Sequence, residues 1–177
     1  MKNIKPILAI VFTGLMAIGA QINIDLLLSP VPFILSDFFI ILGALILGRN
    51  WGVASVMLYL LLGAIGLPVF SDGGGGVEHF AGPTGGYLAG FLVASLVIGH
   101  ISEIRPQTIT KDFGAWLGGI LTLFSLGIAG LIFLAGMEPL AAIKAGFVPF
   151  IPAASLKGIS AVFLAQAIRK LLEDKIR

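Results

Sequence analysis

The chain has 177 residues, of which 58% are hydrophobic and only 11% charged. Its mean hydropathy of +1.07 excludes an ordinary soluble globular domain. The net charge of +2 is too small and too dispersed for a nucleic-acid partner, and the absence of cysteine excludes disulfide and thiol chemistry. The fold expected is all-α: a polytopic membrane protein with a six-transmembrane-helix bundle, in one integral membrane domain covering residues 1–177. Crossing a bilayer takes about 20 mostly apolar residues. Six stretches qualify: 4–21, 33–48, 52–67, 85–101, 113–137 and 148–168.

The first stretch resembles a secretory signal, with Lys2 and Lys5 before an apolar run that ends at Ala17-Ile18-Gly19. Removing it would leave five spans and break the alternation of charge, so it is read as an uncleaved helix. Ala9, Thr13 and Ala17 are spaced to share one face, and small side chains let helices approach closely in lipid. The plain reading of that ridge is packing within the chain.

Ser29-Pro30-Val31-Pro32 imposes an extended lead into the second stretch. Ser36 and Asp37 fall in its first turns. An acid there either favours the helix N-terminus or lines a polar cavity and faces a cation. Both readings stay open.

The segment from Gly66 to Tyr87 holds four consecutive glycines, Gly73 to Gly76. A phosphate-binding loop would need a following Gly-Lys-Ser/Thr, and a dinucleotide fingerprint would need a strand-turn-helix setting. Neither is present. Glycines can instead bring bare backbone close to a small molecule, and irregular backbone at membrane depth requires burial or a cavity. With Phe70, Phe80 and Tyr87 around it, the segment reads better as a folded loop covering a ligand than as a flexible external one.

Farther on, His79 reads as an exposed loop residue, the alternative being that it reaches the pocket or tunes loop closure with pH, and His100 reads as a cation suited to a helix C-terminus. The two histidines are too far apart for a metal site. Trp51 and Trp116 read as interface anchors, and Glu138 and Lys144 as a solvated pair flanking a short external loop. The last stretch contains Lys157 in otherwise apolar or small-residue surroundings. A cation mid-membrane costs about 2.5–3.5 kcal/mol on insertion scales, so it usually faces a cavity or a partner. Asp37 is the candidate partner.

Lys2, Lys5, Arg49, Arg105, Lys111, Arg169, Lys170, Lys175 and Arg177 fall on one side of the six-span alternation, with only Lys144 in a loop on the other. By the positive-inside bias both termini are cytoplasmic.

Gly66-Leu67-Pro68-Val69-Phe70, followed through the glycines by Gly82-Pro83-Thr84-Gly85-Gly86-Tyr87-Leu88-Ala89-Gly90-Phe91, resembles the signature of the BioY family. These are biotin-specific substrate-binding (S) components of energy-coupling-factor (ECF) transporters. The likeness extends to Ala17-Ile18-Gly19-Ala20-Gln21, Ser29-Pro30-Val31-Pro32-Phe33 and Pro149-Phe150-Ile151-Pro152 with Lys157. It implies a six-helix substrate-binding protein of the bacterial cell membrane with biotin as ligand, no cofactor and no catalysis. The implied partners are a transmembrane scaffold protein and two cytoplasmic ATPase subunits, with Ala9, Thr13 and Ala17 contacting the scaffold. The ligand contacts expected are Gly75, Phe80, Thr84, Tyr87 and Lys157, the positions Ser36, Gly74 and Ala154 where this chain departs from the family, and Asp37, which is proposed from its own charge and not from the resemblance.

Three departures mark this chain: Ser36 where the family usually has glutamine, Gly74 where asparagine commonly interrupts the glycines, and Ala154 in place of an aspartate three residues before the lysine. Either Asp37 takes over part of the missing acid's role, or the pocket suits a related acid such as lipoate. A membrane-embedded enzyme and a purely structural subunit are the other readings. Asp37 and Lys157 alone are sparse for catalysis, and a structural subunit does not account for a buried lysine beside a glycine loop.

Overall fold

The computed structural model describes residues 4–24, 29–104 and 106–174. Lys2, Arg105, Lys175 and Arg177 of the charge alternation lie outside the described residues. The described chain is largely helical: α1 (Lys5–Gln21), β1 (Asn23–Ile24), β2 (Phe33–Ile34), α2 (Ser36–Ala64), α3 (Glu78–Ala81), α4 (Gly85–Ser102), α5 (Ile109–Phe133), α6 (Pro139–Gly146) and α7 (Ile151–Asp174). Single 3-10 turns occupy Ser71–Gly73 and Val148–Phe150.

Pro6 starts α1, where a missing amide N–H costs nothing. The proline-rich lead ends in β2, which pairs antiparallel with β1, Asn23 opposite Ile34 and Ile24 opposite Phe33. Leu35 N–H then donates to Gly19 O at 3.0 Å, fixing the start of α2 against the end of α1.

The helical run α2 reverses at Gly48, whose φ of 79° and ψ of −171° are open to glycine and strained for other residues. A Cβ on Gly52 would lie 2.9 Å from Ala44 Cα. Eight residues of straight helix would separate those positions by about 12 Å. The second and third predicted stretches thus form an antiparallel hairpin. Its first half, 36–47, ends in carbonyls without intrahelical donors. Lys5 Nζ donates to Leu47 O at 3.0 Å, and the Arg169 guanidinium donates to Leu45 O, so cations from both ends of the chain cap this helix end.

Four helical stretches are long and apolar enough to cross a membrane among the described residues, and α1 is a shorter apolar helix. The protein is an all-α membrane protein, and the one strand pair among the described residues is a two-residue ladder. Tyr59, Met16, Ile40, Leu45, Ile98 and Leu131 are wholly buried, whereas Ile10, Ile18, Leu121 and Phe133 are more than 60% exposed on helix surfaces. That arrangement suits lipid, where outward apolar side chains cost nothing and inner contacts rely on fit. Glycines set the closest approach: a Cβ on Gly130 would lie 2.6 Å from Gly86 Cα, so α4 and α5 touch backbone to backbone.

Some expectations change. The short loop expected around Glu138 and Lys144 contains α6. Trp116 is buried with its ring over Gly158 of α7, so it packs helices together and does not anchor at an interface. In the ridge assigned to a scaffold, Ala9 and Thr13 are buried, and the Thr13 hydroxyl donates to Ser55 O of α2 at 2.8 Å. Those two residues pack α1 onto its own neighbour, and only Ala17 is partly exposed.

Candidate functional site

Lys157 projects from the first half of α7 toward the start of α2. Its Nζ donates to both oxygens of Asp37, at 2.6 and 2.5 Å, and to Ile34 O at 3.0 Å. It also lies 4.1 Å from the centre of the Phe33 ring. The proline-rich lead therefore supplies two of the lysine's contacts, the β2 carbonyl and an aromatic face attractive to a cation. The two side chains are 9% and 13% exposed. Burying two charges costs several kcal/mol each unless pairing and further hydrogen bonds offset it, and both conditions hold here.

The pair borders a cavity with an empty volume of about 690 Å³, its open mouth included. The lead and α2 contribute Val31, Pro32, Ile34, Asp37 and Tyr59, and the loop and α3 contribute Phe70, Ser71 and His79. Thr84, Tyr87, Leu88 and Phe91 line it from α4 and its N-terminal turn, Leu123 and Phe124 from α5, and Phe150, Ala154 and Lys157 from α7 and the turn before it. A mostly apolar chamber with a few placed polar groups is the usual form of a small-molecule site.

Of the residues expected at the site, Asp37, Thr84, Tyr87, Ala154 and Lys157 line this cavity. Tyr87 is held by its hydroxyl, which donates to Gly146 O at 2.6 Å, leaving its ring as wall. Ser36, Gly74, Gly75 and Phe80 do not line it. Ser36 is fully buried, donates to Met16 O at 2.7 Å and lies beside Tyr59. Gly74 N–H donates to Ser71 O at 3.0 Å and its own carbonyl accepts from Phe70 N–H at 2.9 Å. At Gly75 a Cβ would run into the Leu67 backbone, and Phe80 packs edge-on to Phe70 at 5.9 Å. These four residues shape the wall from behind.

The glycine loop is a folded cover. Gly76 N–H donates to Gly63 O at 2.7 Å, and the Gln21 amide both donates to Phe70 O at 2.9 Å and accepts from Gly73 N–H at 3.1 Å. His79, read from sequence as an exposed loop residue, is half-buried and lines the cavity. The short α3 turns it inward, where its ring meets Phe70 edge-on at 5.4 Å.

Sequence reasoning missed the apolar wall, notably Phe124, Phe150 and Tyr59. Phe124 meets Phe147, Phe150 and Tyr87 ring to ring. In helices apolar on every face, periodicity does not separate cavity-facing from lipid-facing rings.

The fold and cavity together define an all-α membrane protein with a candidate small-molecule site among its helices. A model of the BioY family matches residues 1–174. A biotin transporter BioY of Thermotoga maritima is 39% identical over 161 residues, covering 91% of this chain and 93% of that protein. A probable biotin transporter BioY of Pyrococcus horikoshii is 34% identical over 169 residues, 96% of this chain and 98% of the relative. A crystal structure of the S-component for biotin from an ECF-type ABC transporter superposes with a TM-score of 0.87 at 28% identity, covering 96% of this chain and 92% of that one. The chain belongs to the BioY family.

Proposed function

We propose that this protein takes up biotin as the S component of an ECF-type transporter. The observation that carries this reading is the Lys157–Asp37 pair at the wall of an apolar cavity in a chain of the BioY family. Biotin combines a compact ring bearing amide-like groups with an apolar tail ending in a carboxylate. The apolar wall suits the tail and ring edges, and the paired charges suit polar groups that need both a donor and an acceptor.

The Asp37 carboxylate occupies the chemical role left open by Ala154, which lines the same cavity without a polar group. The Gln21-tethered glycine loop covers the ligand. Catalysis forms no part of this reading; the relatives described above are transporters and a transporter S-component.

The wider assembly follows from the same reading. The reversal at Gly48 divides α2 into two spans, which with α1, α4, α5 and α7 makes six in a single substrate-binding domain. Both termini then lie in the cytoplasm of a bacterial cell, on the side of Lys5, Arg49, Lys111, Arg169 and Lys170. A membrane scaffold and two ATPases supply the energy. The scaffold would meet the outward face of α1, where a side chain on Gly14 would have no neighbour within 4 Å and Ala17 is partly exposed.

Ala154 favours a second reading, in which the ligand is a related acid with fewer polar ring groups, such as lipoate. A competition titration on purified protein separates the two. Biotin displaces bound radiolabelled biotin at concentrations well below those lipoate needs; the reverse order assigns the site to lipoate.

A further inference from the structure

The cavity holds Lys157 charge-matched before any ligand enters, because both Asp37 oxygens already contact its amine. A ligand carboxylate placed there would confront Asp37 or strip it of its partner, and a buried, unpaired carboxylate is costly. Two other polar side chains of the wall are engaged: the Tyr87 hydroxyl donates to Gly146 O and the Thr84 hydroxyl donates to His79 O. Tyr59 is 1% exposed in α2, its ring edge-on to Phe70.

Ser71 and His79 differ. Among the described residues neither the Ser71 hydroxyl nor the His79 imidazole has a hydrogen-bond partner, and both line the cavity. They belong to one rim: Ser71 follows Phe70, and the His79 ring packs on Phe70. The imidazole also fills the space above Gly74, where a Cβ would lie 2.7 Å from Cε1 and 2.8 Å from Nε2. Glycine at 74 therefore makes room for the histidine. The neighbouring acids Asp72 and Glu78 are exposed and outside the cavity wall.

We propose that His79, assisted by Ser71, receives the carboxylate of the ligand, while Lys157 and Asp37 take its uncharged polar end. His79 is then a specificity-determining residue for an acid tail, and the ligand lies across the cavity from α7 to the loop. This assignment rests on the biotin reading above.

The test is equilibrium binding of biotin and biotin methyl ester, whose tail end is uncharged, to the purified full chain and to H79F, H79Q and S71A. Wild-type protein binds biotin more tightly than the ester. H79F weakens biotin by about tenfold or more, leaves the ester within about twofold, and so erases the preference. H79Q, which keeps an N–H donor, retains part of it, and S71A loses less than H79F. Retention of the ester shows that H79F is folded. Equal loss of both ligands in H79F, unchanged biotin affinity, or a wild type indifferent to esterification each overturns the assignment. A wild type that binds the ester but not biotin overturns it as well, and one that binds neither overturns the biotin reading itself.

Discussion

Two buried ion pairs tie α7 to the rest of the molecule, about 18 Å apart along the helix, and only one of them borders a ligand-sized space. Lys157 meets Asp37 at a cavity wall, beneath the Phe33 ring. Arg169 meets Asp112 of α5 at 2.7 Å, with Gln166 donating to the same carboxylate oxygen at 2.5 Å and Leu45 O taking the other end of the guanidinium. Asp112 is fully buried and lines no described cavity. The chemistry is alike and the surroundings are not. Burial of a charge pair marks a place where the fold is fastened; an apolar chamber beside it marks where a ligand can enter.

This contrast is broken most severely at Lys157. Lys157→Met keeps side-chain length but removes the donor, and is expected to reduce biotin affinity about a hundredfold or more while stranding Asp37. Isothermal titration with wild-type and variant protein measures it, and near-normal affinity would equate the two pairs as structural. Asp37→Asn is expected to reduce affinity about tenfold, because a neutral amide holds the lysine less well. Adding Ala154→Asp to that variant is expected to restore part of the loss, since residue 154 faces the cavity one helical turn from Lys157. The same titrations on the single and double variants check both outcomes.

The smallest effect on binding belongs to the other pair. Arg169→Met uncovers Leu45 O and leaves Asp112 in a buried site without its cation, so it is expected to cost about 3 kcal/mol of stability. Its biotin affinity is expected to stay within about threefold of wild type, because no binding group moves. Thermal unfolding and titration on the same preparation separate the two quantities. A large loss of affinity with unchanged stability would show that Arg169 serves the ligand after all.

Much of the bundle was legible because hydrophobic runs of membrane length announce themselves, and the paired prolines mark an extended lead; the role of Gly48 in the reversal of α2 appears only in the fold. Lys157 was legible for the same reason in reverse, as a cation without local excuse. Its partner was narrowed to Asp37 because few other charges lie within the spans.

Other features depended on contacts across distant chain segments. Asp112 sits in the first turn of α5, where an acid is unremarkable; its pairing with Arg169 and Gln166 appears only after α7 packs on α5. His79 looked like a loop residue because α3 is a single turn that periodicity cannot detect. Gly74 and Gly75 were placed at the ligand by their conformational freedom, yet their bare backbones serve close packing of the loop on itself and on the end of α2. Ala9 and Thr13 show the same ambiguity: small residues permit close approach, and sequence does not say whether the neighbour is the chain itself or a partner.

The most direct measurement is a structure of the protein with biotin bound. The account predicts biotin's ring within hydrogen-bonding distance, about 3 Å, of Lys157 or Asp37, with the tail running over the cavity faces of Phe124 and Phe150 toward His79. Biotin bound elsewhere, with the lysine–aspartate pair turned away from it toward headgroups or solvent, would contradict it.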